Sequence, residues 1–202
     1  MTDPAATPGN PTRPDGPRPA SPRAAGQPTS RAPGTAVGRY FYDCEFIEDG
    51  LTIELVSIGV VADDGREYYA VSTDFDPGRA NSFVRTHVLD KLPSPADRAW
   101  RSRRRIRDDL QEFFAAGVTP IELWAWVAAY DHVALAQLWG AMPALPRFIP
   151  RFTREIRQFW ESAGSPELPT HTADRHEALA DARLAMARWQ VADRALHGTA
   201  YA

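Results

Sequence analysis

Three β-strands in immediate succession constrain this chain most. Residues 40–46 (Tyr-Phe-Tyr-Asp-Cys-Glu-Phe) are aromatic-rich and closed by the turn signal Glu48-Asp49-Gly50. Residues 51–62 are rich in β-branched side chains and read as a second strand. Asp63-Asp64-Gly65 is a further hairpin turn, and residues 67–73 complete a meander. A chain that begins this way builds an antiparallel sheet and must then cover it.

The cover follows in sequence. Residues 80–89 are a short helical candidate. Ser94-Pro95-Ala96-Asp97 has the form of a helix start, with Ser as N-cap and Pro at the first position. That helix is predicted to run to Phe114 and to stop at Gly117. Residues 120–127 are nearly all apolar and read as a central fourth strand. They lead into Asp131 and a short helix over 132–138. Residues 148–152 are a candidate fifth strand, and Thr153 caps a helix reaching about Ala163. The last helix is predicted from Thr172 or Asp174 to about Leu196, with Ala180, Leu184, Ala187 and Val191 as its buried stripe. The expected class is α/β, a mixed sheet flanked by helices.

Residues 1–37 are different material. Nine of the 18 prolines fall there, with almost nothing large and apolar. Such a segment cannot offset its chain entropy by burial, so a disordered tail is expected ahead of one domain over 38–202. A translation start at Val37 would leave the tail out of the native protein. Four Arg against two Asp give the tail +2, so a whole-chain charge of −3 leaves the domain at −5. That is unusual for a nucleic-acid binder. A single Cys excludes an internal disulfide and makes a reducing cytoplasm the expected location. No apolar run is long enough to span a membrane, and no secretory signal is visible.

Side chains alternate along a strand, so Asp43 and Glu45 share a face while Cys44 takes the other. Two carboxylates about 7 Å apart on an apolar strand repel each other, and a divalent cation is the usual remedy. Plain solvent exposure on an edge strand is the alternative. Asp131 lies where a strand ends and a helix begins, which is where open α/β sheets place their chemistry. Its alternative role is an N-cap. His176 and Asp181 lie on the last helix, with Asp181 beside its buried stripe. The remaining histidines read as polar surface. Six Arg between 98 and 107 read as a solvated face, interrupted by Asp108 and Asp109.

In this order the residues resemble the DEDDh exonucleases of the ribonuclease-H-like superfamily. The motifs are Asp43-Cys44-Glu45, then Tyr130-Asp131, then His176 with Asp181 five residues on. The likeness covers about residues 39–195. Within that group the chain is similar to the polyadenylate-specific 3′-exoribonucleases of actinobacteria, the RNase AS family. Arg39-Tyr40-Phe41-Tyr42-Asp43, Ile121-Glu122-Leu123-Trp124-Ala125-Trp126-Val127 and Arg151-Phe152-Thr153-Arg154-Glu155 carry that likeness, together with residues 53–61.

The resemblance implies a ribonuclease-H-like fold and a homodimeric, Mg²⁺-dependent 3′-5′ exoribonuclease. It implies an adenylate-rich single-stranded RNA 3′ end as substrate, two Mg²⁺ ions, and Mn²⁺ as a substitute. Asp43, Glu45, Asp131 and Asp181 are the implied metal ligands, and His176 the implied general base. Phe46 and Ile47 stand where many relatives carry Thr-Gly, so they are the expected substrate contacts. The connection before Asp131 also departs from the common Asn-containing one. Two bound cations would offset most of the domain's negative charge. The alternatives are a DNA-directed exonuclease of the same group and a non-catalytic nucleic-acid-binding relative.

Overall fold

β1 (Gly38–Glu48) is the axis of a six-stranded sheet in the computed structural model, which describes residues 36–170 and 176–198. Residues 1–35 of the proline-rich tail lie outside the described residues, as does the expected start of the last helix at Thr172 or Asp174. β2 (Ile53–Ala62) and β3 (Glu67–Ser72) complete the predicted antiparallel meander. Its turns are tied locally: Asp49 Oδ1 accepts the N–H groups of Leu51 and Thr52, and Gly50 and Gly65 hold positive φ. β5 (Ile121–Ala125) runs parallel to β1, as the acid set requires. The full order is β4-β3-β2-β1-β5-β6, with β4 (Trp100–Arg101) and β6 (Arg154–Glu155) as two-residue parallel edges. The predicted fifth strand over 148–152 therefore falls a few residues later, at β6.

One predicted helix start is overturned. Residues 94–99 form turns, and α2 (Arg103–Ala115) begins with Ser102 as N-cap. The chain ahead of it is spent on pairing the far edge of β3. Val71 N–H donates to Ala99 O at 2.9 Å, and Thr73 N–H to Arg101 O at 2.8 Å. Long-range ladder bonds outweigh the local Ser-Pro signal here. The arginine-rich stretch is partly neutralised: Arg101 and Arg105 pair with Asp109, and Arg104 and Arg107 with Asp108.

α2 and α3 (Ala129–Ala136) cover one face of the sheet. Tyr40, Tyr42 and Cys44 of β1 pack there with Ile106, Leu110, Phe114 and Leu135. The opposite face carries α4 (Ile156–Ser162) and α5 (Ala178–His197), with Phe41, Trp124, Ile156 and Ala185 at their contact. α1 (Ser82–His87) closes a third cluster of Ile47, Val56, Ala80, Val84 and Val88.

The buried stripe of α5 is Ala178, Ala182, Ala185 and Ala192, rotated from the predicted one. Beside these alanines Met186 and Trp189 pack against Phe41 and Trp124 of the sheet, while Ala180, Leu184, Ala187 and Val191 are only half-buried. Gly59 of β2 permits a close approach. A Cβ there would lie 2.4 Å from the Ala178 carbonyl and from Leu179 Cα. Only glycine lets the start of α5 sit on the sheet beside Asp43, its cross-strand neighbour.

Candidate active site

Asp43 and Glu45 pair across the ladder with Gly59 and Ser57. They face the start of α5, whereas Cys44 is sealed in the opposite core. Asp181 stands in the first turn of α5. Oxygen atoms of Asp43, Glu45 and Asp181 lie within 4.8 Å of one another. Ligands of one Mg²⁺ at about 2.1 Å can be no more than about 4.2 Å apart. Small rotations of these side chains therefore make the trio a donor set for a hard divalent cation.

Asp131 lies outside that trio but lines the same groove, an open cleft of about 430 Å³. It sits in the first turn of α3 and is 5% exposed. Its Oδ1 accepts the Cys44 N–H at 2.8 Å. The N-cap of α3 is Ala128, so Asp131 is not a helix cap. Its carboxylate reaches across to β1 instead, and parallel pairing of β1 with β5 makes the reach possible.

The carboxylates of the site repel one another. Burial, followed by repulsion from Asp181 and Asp131, pushes Glu45 up to about 8, and Lys91 opposes the rise. Burial pushes Asp131 up to about 7, although the Cys44 N–H pulls the other way. Asp43 is also raised, by burial first and by Asp131 and Glu45 next. Each acid would release its proton more readily with a cation in place.

His176 lies two residues ahead of α5, not on it, with φ of 63°. Its N–H donates to Asp181 Oδ2 at 2.9 Å, which ties the two residues of the third motif together. Its ring meets Phe83 edge-on at 5.3 Å and lies 6.0 Å from the His87 ring. It lines the groove with the four acids.

The two expected substrate contacts separate. A register shift between Glu45 and Phe46 interrupts the ladder. Phe46 lines the groove and stacks on Tyr130, with centroids 5.7 Å apart and planes 13° apart. Ile47 is 1% exposed and packs beneath α1, so its side chain serves the core rather than the groove. Asn81 and Phe83 of the α1 region line the same groove and were not visible as site residues. The signal available for Phe83 is a large apolar residue left 53% exposed on a short helix.

The chain is similar to known proteins over most of its length. The family model described as the 3′-5′ exoribonuclease Rv2179c-like domain matches residues 38–192. The 3′-5′ exoribonuclease Rv2179c of Mycobacterium tuberculosis (strain ATCC 25618 / H37Rv) is 66% identical over 154 residues, covering 76% of this chain and 92% of that protein. The 3′-5′ exoribonuclease MT2234.1 of strain CDC 1551 / Oshkosh matches to the same extent. Among solved structures, S. pombe Pop2p in its Mg²⁺- and Mn²⁺-bound form is similar with a TM-score of 0.50 and 10% identity. That match covers 81% of this chain and 86% of Pop2p, and it speaks for the fold alone. On the family model and the 66% identity together, the chain belongs to the Rv2179c-like family of 3′-5′ exoribonucleases.

Proposed function

We propose that this protein shortens single-stranded RNA from its 3′ end with a divalent cation held by Asp43, Glu45, Asp131 and Asp181, and with His176 as general base. The observation that carries the reading is the carboxylate trio with oxygens within 4.8 Å, in one groove with Asp131 and His176. Two Mg²⁺ ions suit this donor set, with Mn²⁺ as a substitute, because all four donors are hard carboxylate oxygens. When bound, such ions neutralise charge on the phosphodiester and make water a better nucleophile.

The chain's own groups do the rest. The His176 ring takes the proton from the attacking water at an imidazole nitrogen, so it must be neutral at that moment. The Phe83 edge and the backbone bond to Asp181 orient it. The stacked Phe46 and Tyr130 and the Phe83 ring all line the groove, which suits unpaired bases. A further depression of about 290 Å³ shares Glu48 and Tyr130 with the groove and continues toward Leu51 and Val133. It gives the preceding nucleotide a place to lie. Large purine faces gain most from such stacking, in keeping with the adenylate preference that the RNase AS likeness implies.

The same likeness leads us to expect a homodimer, which light scattering would measure. The lone thiol, Cys44, is buried and suits a reducing cytoplasm. No helix among the described residues is long and apolar enough to cross a membrane.

The decisive experiment digests 5′-labelled adenylate, uridylate and deoxyadenylate oligomers with Mg²⁺ and with excess chelator. The expected result is a ladder shortening from the 3′ end of RNA, fastest on adenylate and absent in chelator. Equal digestion of DNA would move the substrate assignment. Binding of RNA without cleavage would make the protein a non-catalytic relative.

A further inference from the structure

The segment 151–155 carries part of the family likeness, yet the chemistry above does not use it. Its side chains converge on the turn that delivers Asp131. Glu155 accepts the Val127 N–H at Oε1 (2.9 Å) and the Ala128 N–H at Oε2 (2.8 Å). Thr153 Oγ1 lies 2.6 Å from the Tyr42 hydroxyl and 3.0 Å from His132 Nδ1. One side chain therefore grips the two residues just before α3, and the other grips the residue just after Asp131. Through Tyr42, Thr153 also anchors this grip to β1.

The turn needs an external hold. Val127 has φ of 60°, a region that β-branched residues rarely occupy. Such a backbone persists only when its surroundings fix it. No side chain caps α3, and the Val127 and Ala128 N–H groups just ahead of it are both taken by Glu155. Trp126, Val127, Tyr130 and Asp131 all line the groove, so a loose turn would shift a whole wall of it.

We propose that Glu155 and Thr153 are positioning residues that lock the β5–α3 turn so that Asp131 stays on the Cys44 N–H and faces the other acids. The proposal rests on the exonuclease reading, in which Asp131 is a cation ligand. Groups that orient a ligand in this way typically change metal affinity or activity by about 10–100-fold when altered. Glu155 has a second duty as N-cap of α4, since Oε1 also accepts the Arg157 N–H at 2.9 Å. Glu155→Asp separates the two duties. Aspartate is among the best N-caps and keeps the charge, but it is one methylene shorter and falls short of the turn.

The test compares the full-length protein with Glu155→Asp and Thr153→Val. Three quantities are measured: amide hydrogen exchange at Val127 and Ala128 without metal, Mn²⁺ affinity by calorimetry, and single-turnover cleavage of an adenylate oligomer in saturating Mg²⁺. In Glu155→Asp the two amides should exchange at least about 10-fold faster while α4 amides stay protected. Mn²⁺ affinity or cleavage should fall by about 10-fold or more. Thr153→Val should move the same quantities in the same direction by a few-fold. Faster exchange with unchanged affinity and rate in Glu155→Asp would leave Glu155 a structural bond and overturn the proposal. Unchanged exchange would overturn it too. If Glu155→Asp fails to fold, Thr153→Val decides, and wild-type affinity and rate there would sink the idea. Wild-type protein that binds Mn²⁺ but leaves RNA intact would refute the exonuclease reading instead, while exchange and affinity would still judge the grip.

Discussion

The two faces of β1 obey opposite rules. On one face Tyr40, Tyr42 and Cys44 lie against α2 and α3, each no more than 4% exposed. The polar atoms there are matched: the Tyr40 hydroxyl donates to Phe114 O, and the Tyr42 hydroxyl lies on Thr153. On the other face Arg39 and Phe41 meet Trp189 of α5, and Asp43 and Glu45 follow under the start of that helix. Those carboxylates face Asp181, a further acid, with Lys91 the cation that lowers Glu45. One face stabilises the fold, and the other is held in place at a cost that a bound cation would relieve. Alternation along a single strand thus lets eleven residues serve both ends.

The contrast can be broken most severely at the groove. His176→Ala should lower single-turnover cleavage by about 10²–10⁴-fold and leave Mn²⁺ affinity near wild type. It should also flatten the rise of rate with pH near neutrality. A variant with the wild-type rate and profile would remove His176 from the chemistry.

Next come paired substitutions, one on each face. Phe114→Ala should cost about 3–5 kcal/mol of stability in denaturant titration, with cleavage per folded molecule unchanged. Asp181→Asn should do the reverse: cleavage is lost, while the metal-free protein is as stable as wild type or more so, because a repelling charge is gone. A large loss of stability in Asp181→Asn would make that acid a structural hydrogen-bond acceptor for His176 N–H.

The pH dependence of the metal-free protein sharpens the comparison further. Glu45 at about 8 and Asp131 at about 7 lie above their ordinary values of 4.5 and 3.8. The folded state therefore binds more protons than the unfolded state between those limits. This contribution is fully present below pH about 4 and is lost as pH rises through 7 to 8. Urea titrations without metal should show stability falling by several kcal/mol from pH 5 to 8. Saturating Mg²⁺ should abolish most of that slope. A metal-free slope of zero or of opposite sign would mean that the acids are not coupled as described.

The smallest expected effect tests the division between the two residues after the acids. Ile47→Val should cost about 0.5–1.5 kcal/mol of stability and leave KM for RNA unchanged. Phe46→Ala should instead raise KM, because its ring lines the groove. A raised KM in Ile47→Val would return that residue to the substrate contacts.

The sequence by itself determined whatever depends on neighbours along the chain. Period-two alternation put Asp43 and Glu45 on one face and Cys44 on the other. The Gly50 and Gly65 turns specified the meander, and the order of the three motifs carried the likeness to 3′-5′ exoribonucleases. Tertiary structure decided where distant segments meet, because those pairings draw their free energy from partners that no local pattern encodes. Pairing of β3 with β4 moved the start of α2 from Ser94 to Ser102. The register shift after Glu45 accompanies the parting of Phe46 and Ile47. The missing side chain of Gly59 set how closely α5 approaches, and hence which alanine stripe it buries. Asp131 was legible as a residue at a strand end. Its seat on the Cys44 N–H, 87 residues away in sequence, exists only because β5 lies parallel to β1.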